Sequence, residues 1–161
     1  MKKINLVYVL SLTVLFFTSC SDDDDNNVDT TRPVIVLNEP TDHQEFLPGE
    51  EIHFDADFSD NIELGSYKIE IHDASDGHSH RTAHDDHDDH DDHSVAWAYE
   101  VTNQFEAGLR NQNVHTHIDI PTTINGEPIK EGHYHLGVFC TDRAGNQSQV
   151  FVEIVIGDHN H

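Results

Sequence analysis

From Arg32 onward, apolar and polar residues alternate in short runs closed by turn-forming residues, which is the period of half-buried β-strands and not of helices. Seven strands are predicted: A over 33–37, B over 51–58, C over 66–72, D over 95–101, E over 114–120, F over 133–142 and G over 149–156. In B, Ile52, Phe54, Ala56 and Phe58 face one way and His53, Asp55 and Asp57 the other. Strand C sets Tyr67, Ile69 and Ile71 inward and Lys68, Glu70 and His72 outward, and E sets Val114, Thr116, Ile118 and Ile120 against His115, His117 and Asp119. Trp97 and Tyr99 are the expected core aromatics of D, and residues 40–49, with His43, are expected to form a loop. The fold class is therefore all-β, a seven-strand sandwich whose two sheets bury their apolar faces against each other.

The amino terminus reads differently. Lys2 and Lys3 precede an apolar run, Ile4 to Phe17, that is too short to span a bilayer comfortably. Phe17-Thr18-Ser19-Cys20 resembles the lipobox of bacterial lipoproteins, which implies cleavage before Cys20, a lipid on its sulfur and a mature chain held to the membrane by that anchor. Ser21-Asp22-Asp23-Asp24-Asp25 resembles a surface-export signal of lipoproteins in the Bacteroidota and so implies the outer face of the outer membrane. The expected organisation is a signal peptide over 1–19, a lipidated cysteine and acidic tether over 20–31, a domain over 32–157 and a His-containing tail over 158–161. With Cys20 lipidated, Cys140 has no disulfide partner, and its place on the apolar side of strand F marks it as a small core residue.

One insertion breaks the strand pattern. The loop over 73–94 belongs to the stretch from His72 to His93, which reads HDASDGHSHRTAHDDHDDHDDH. His78 and His80 are followed by a three-residue repeat that places His84, His87, His90 and His93 with two aspartates in each gap. Imidazole is the commonest transition-metal ligand, carboxylate is an acceptable co-ligand, and the negative field draws cations in. Asp is a poor helix former and the acids repel, so the segment is expected to be disordered without metal.

The last hairpin carries a family resemblance. Gly132-His133-Tyr134-His135-Leu136 resembles the tyrosine-corner start of strand F in immunoglobulin-like domains, with Leu136 where antibody domains place cysteine. The Asp142-Arg143-Ala144-Gly145-Asn146 turn resembles those of bacterial immunoglobulin-like and cadherin-like modules. Residues 32–157 are similar to an uncharacterised family of His-containing, immunoglobulin-like surface lipoproteins of the Bacteroidota, a domain of unknown function. That resemblance implies fold and location and carries no activity. The missing inter-sheet disulfide is expected to be replaced by packing of Phe54 and Leu136.

With immunoglobulin-like topology, the A–B, C–D and E–F connections share one end, which gathers most of the histidines there. C and F are then neighbours, so His72 should lie beside His133 or His135, and B and E bring His53 toward His115 or His117. An H-x-H pair on one strand sets its imidazoles roughly 6 to 7 Å apart on one face. The first expected metal site is His72, His133 and His135, closed by the His/Asp loop. The second is His53, His115 and His117, with Asp119 as a further donor. Zn²⁺ suits such donors, with Cu²⁺ or Ni²⁺ as alternatives, while copper(I) lacks thioethers because the single methionine is Met1. At the opposite end, capping of Asx turns accounts for Asp60-Asn61 and for Asp142 with Asn146 more economically than calcium does.

Net charge of −23 argues against nucleic acid as a partner and for cations. The expected function is capture, buffering or delivery of a divalent transition metal, with an outer-membrane transporter as recipient. The alternative is an adhesion module that binds protein or glycan and carries an incidental solvated loop. No enzyme is expected: His115-Thr116-His117-Ile118-Asp119 resembles the H-x-H-x-D of metallo-hydrolases, but Ile120 stands where their next histidine would be and H-E-x-x-H is absent.

Overall fold

The computed structural model describes residues 28–74 and 93–157. Its strands, in chain order, are β1 (Val34–Glu39), β2 (Gln44–Phe46), β3 (Glu51–Ser59), β4 (Leu64–Asp73), β5 (Ala98–Gln104), β6 (Asn111–Asp119), β7 (Thr123–Ile124), β8 (Glu127–Pro128), β9 (Gly132–Asp142) and β10 (Gln147–Ile156). One sheet has the order β1-β3-β6, the other β2-β10-β9-β4-β5, and β7-β8 is a small separate hairpin. The chain is thus all-β, and the two large sheets form a sandwich.

The predicted alternation decides which side chains meet between the sheets. Ile52, Phe54, Ala56 and Phe58 of β3 are buried, as are Ile69 and Ile71 of β4 and Ile118 of β6. From β9, Tyr134, Leu136, Val138 and Cys140 join them, and β10 adds Ile154 and Ile156. Each such aliphatic or aromatic side chain contributes about 1.5 to 3 kcal/mol by leaving water. Phe54 and Leu136 are both fully buried members of this core, where antibody domains have a disulfide. Burial pushes the Cys140 thiol up to about 12, so it packs as a neutral hydrophobe.

The buried Tyr134 hydroxyl donates to the Lys130 carbonyl at 2.6 Å and accepts from the Trp97 backbone N–H at 3.3 Å. The tyrosine thereby fixes the entry to β9, as its tyrosine-corner sequence implies. It also holds Trp97, which is 6% exposed, under the end of the sandwich where β9 begins.

Three local expectations change. Residues 40–49 are more than a loop, because β2 forms within them and pairs in parallel with β10 through Gln44↔Ile154 and Phe46↔Ile156. Three residues are too few to show a period, and their partner lies more than a hundred residues away. The strand expected over 95–101 begins at Ala98, whereas Val95 makes an isolated bridge to Ile129. This strand pairs with β4 at the edge of the five-stranded sheet, and Tyr99 is only half-buried there. The structure also adds the β7-β8 hairpin, where Asn125 and Gly126 connect the strands with φ of 55° and 91°, the paired left-handed conformation that favours Asn-Gly in tight hairpins.

Candidate metal centres

On the outer face of the three-stranded sheet, antiparallel pairing of β3 with β6 sets Glu51 opposite Asp119, His53 opposite His117 and Asp55 opposite His115. Period-two alternation puts all these side chains on the solvent side, so they form rows of carboxylates and imidazoles. The His53 and His117 rings stack with centroids 4.5 Å apart and 22° between planes. His117 Nδ1 donates to Glu51 Oε2 at 2.8 Å, since a carboxylate can only accept. A metal held between Glu51 and His117 would take the place of that Nδ1 proton, with both groups as direct ligands. The hydrogen bond from His117, followed by the nearby imidazole charges, holds the Glu51 carboxyl below the ordinary range.

One donor atom from each of Glu51, His53 and His117 lies within 4.8 Å of the others. Ligands of one tetrahedral zinc ion at about 2.0 to 2.2 Å stand roughly 3.4 Å apart, so closing this trio takes about an ångström of side-chain movement. Exposed side chains supply that movement readily. His115 stands next to the group, with its ring edge-on to His117 at 5.6 Å and its Nδ1 3.3 Å from Asp55 Oδ2. Asp55 is held low chiefly by hydrogen bonds from Asn38 and Asn113, and less by His115. Of the residues expected in the second site, the structure brings His53 and His117 together with Glu51 and leaves His115 beside them and Asp119 opposite Glu51.

The expected first site divides. His72 and His135 are directly opposite in register, their rings edge-on with centroids 5.5 Å apart. His133 occupies the same outer face two residues along β9 but engages Glu153 Oε1 through Nδ1 at 2.6 Å. His43 Nδ1 lies 3.0 Å from that same oxygen, so Glu153 stands between two imidazoles. One donor atom each of His43, His133 and Glu153 falls within 4.8 Å of the others, and neither His72 nor His135 joins a comparable group among the described residues. A carboxylate on the next strand has drawn one imidazole of the H-x-H pair away from β4.

The turn before β2 positions His43. Its φ is 60°, and its backbone N–H donates to the Glu153 carbonyl at 2.6 Å while the Glu153 N–H donates to Asp42 Oδ1 at 2.9 Å. Sequence reasoning left both Glu153 and His43 out of this group. Alternation along strand G puts Glu153 on the outer face beside His135, and that signal was available. The turn geometry of His43 had no such signal.

Both trios lie at the same end of the sandwich, but on opposite outer faces with the core between them, so the single imidazole neighbourhood expected from topology becomes two. His93 is exposed and joins neither group. His78, His80, His84, His87, His90, the tail histidines His159 and His161, and Cys20 lie outside the described residues.

Among solved structures, the sporulation control protein Spo0M of Bacillus subtilis is 14% identical with a TM-score of 0.41, covering 80% of this chain and 49% of its own. A β-glucosidase from Listeria innocua, in complex with isofagomine, is 15% identical with a TM-score of 0.39, covering 78% of this chain and 16% of its own. The chain thus spans about half the length of the first and a sixth of the second. No curated protein matches it in sequence. Residues 18–157 match a domain of unknown function, DUF4625, and the chain belongs to that family.

Proposed function

We propose that this chain binds a divalent transition-metal ion, Zn²⁺ first with Cu²⁺ or Ni²⁺ as alternatives, and does so as a lipoprotein anchored through Cys20 on the outer-membrane surface. The convergence of Glu51, His53 and His117 within 4.8 Å carries the reading. Two imidazole nitrogens and a carboxylate oxygen are a zinc donor set, and a three-ligand site on an open face leaves positions for water or for a donor from another protein. Such a site exchanges its ion. His43, His133 and Glu153 repeat the same donor set on the other face. Exchange suits capture, buffering and delivery to an outer-membrane transporter better than a closed structural role would. The sequence between 78 and 93 adds further His and Asp donors to the same chain.

Calorimetric titration of the protein with Zn²⁺, combined with elemental analysis, tests this. A His53→Ala/His117→Ala variant is expected to lose tenfold or more in the tightest phase. Deletion of 78–93 is expected to lower the number of ions bound. If both variants take up zinc as the parent does, the reading fails, and an interaction module with an incidental loop takes its place.

A further inference from the structure

We propose that the end of the sandwich opposite the imidazoles binds one calcium ion between Asp29, Asp60 and Asp142, and that this ion staples the segment before β1 to the β3–β4 and β9–β10 turns. The proposal stands apart from the transition-metal reading and shares no residue with it.

The three carboxylates come from distant parts of the chain, yet one oxygen of each lies within 4.8 Å of the others. Calcium binds oxygen at 2.3 to 2.6 Å, so donors on opposite sides of one ion stand about 4.6 to 5.2 Å apart. Only one pair of three donors can stand opposite and the other separations are shorter, so the trio closes on one ion with small side-chain movements. Magnesium, at 2.0 to 2.1 Å with strict octahedral demands, would need them roughly half an ångström closer. With oxygen donors alone, the site favours a hard cation over zinc or copper.

Proximity of acids is not the whole case. Asp60 Oδ2 accepts from the Ile62 and Glu63 backbone N–H groups at 2.8 and 2.7 Å. Its other oxygen, Oδ1, is buried from solvent and accepts no hydrogen bond among the described residues. An unpartnered buried carboxylate oxygen is costly to leave bare, and a cation is the partner that suits it. Asp142, at 4% exposed, adds a buried carboxylate that no basic side chain neutralises among the described residues. The neighbouring Arg143 is committed to Glu63 at 3.1 Å. Asn146 Nδ2 donates to the Asp29 carbonyl at 3.0 Å and to Asp142 Oδ2 at 2.6 Å, which already ties the segment before β1 to the β9–β10 turn.

The fold builds this end deliberately. Gly65 lies at a register shift between β4 and β9, and a Cβ there would stand 2.7 Å from the carbonyl oxygens of Thr141 and Asp142. Only glycine lets β9 deliver Asp142 so close to the β3–β4 turn that holds Asp60. Asp29, by contrast, reaches the site from outside the sandwich. An ion there would fix the direction in which the domain leaves its amino-terminal segment.

The test is calorimetric titration of the full chain with calcium chloride, run alongside thermal unfolding with and without a chelator. Extracellular calcium modules bind at about 10⁻⁴ to 10⁻³ M, so titration to about 10 mM spans the range. The expected result is one saturable event and a rise in melting temperature, both at least tenfold weaker in affinity in Asp29→Ala and Asp60→Asn. Asp29 lies outside every strand, so its variant folds whatever the outcome. Magnesium at equal concentration is expected to bind more weakly. The proposal is overturned if the parent shows no saturable event, or if the event persists unchanged in both variants, which would assign the calcium to the acidic runs elsewhere in the sequence.

Discussion

The two ends of this sandwich gather opposite kinds of donor. At one, His53, His117 and Glu51 on one face, and His43, His133 and Glu153 on the other, are exposed and already hydrogen-bonded or stacked among themselves. At the other, Asp29, Asp60 and Asp142 offer oxygen alone, and a buried oxygen of Asp60 has no hydrogen-bond partner among the described residues. The first arrangement is content without an ion and can release one cheaply. The second would be completed by the calcium ion proposed for it. An exchanging site and a structural staple are therefore distinguishable before any titration, by asking which donors have already satisfied one another.

The widest separation between the ends should come from pH. Imidazole must be deprotonated to ligate and titrates as a class near 6.5, while free carboxylates titrate near 4. For a site with two imidazoles, zinc affinity is expected to fall by two orders of magnitude or more between pH 7 and pH 5. Calcium affinity over the same interval should change by less than about threefold. Parallel titrations at the two pH values measure both. Similar losses for the two ions would erase the distinction between the ends, and zinc affinity unchanged at pH 5 would mean that carboxylates alone hold it.

A smaller but more local effect is expected from Gly65→Ala. The added methyl would meet two backbone carbonyl oxygens at 2.7 Å, a clash that neither strand can relieve by turning a side chain. Overpacking of this kind typically costs about 1 to 3 kcal/mol. Urea unfolding should show that loss. Calcium binding should weaken with it, because Asp142 shifts, while zinc affinity at Glu51, His53 and His117 stays within about twofold. Equal damage to both ions would show that the two ends are coupled through the sheet.

Most of the framework could be read from the chain because alternation is a local property. Ile52 to Phe58 and Val114 to Ile120 declare which side is inward, and from that follows the facing of His53 and His117. What escaped depended on contacts that alternation cannot express. β2 exists because β10 offers it an edge, and β5 departs from its expected start because Val95 is held by Ile129. The pocket of His72, His133 and His135 was expected on the right face with the right neighbours. It divides because Glu153 competes for His133, a choice between two nearby partners that strand period cannot decide. The acidic end was read as turn capping, and that reading is correct as far as it goes: Asp142 does accept from the Asn146 backbone N–H at 2.8 Å. Only the three-dimensional structure reveals that Asp29 arrives from the preceding segment and that one Asp60 oxygen is left over.

The smallest effect concerns acid stability without metal, and it separates the ends by cause. Glu51 and Asp29 are both held below the ordinary carboxylate range, Glu51 chiefly by the hydrogen bond from His117 and Asp29 chiefly by the Thr31 backbone N–H, then by Asn61. A depressed folded-state pKa means that ionisation favours the fold. The contribution is fully present above the unfolded-state value, near 4, and disappears as pH falls through the lower folded value. Glu51 is exposed and Asp29 only partly buried, so solvent screening keeps the effect small. Urea midpoints measured in chelator from pH 6 down to pH 3 should therefore decline, and Glu51→Gln should flatten part of that decline. His117→Ala should flatten the same part, so that the double variant adds nothing to either single one, because partners in one interaction are not additive. Asp29→Asn should remove a separate share that adds in full to both. If Glu51 and His117 prove additive instead, the hydrogen bond that holds His117 beside Glu51 is not formed in solution, and the imidazole end loses the preorganisation on which its proposed zinc site depends.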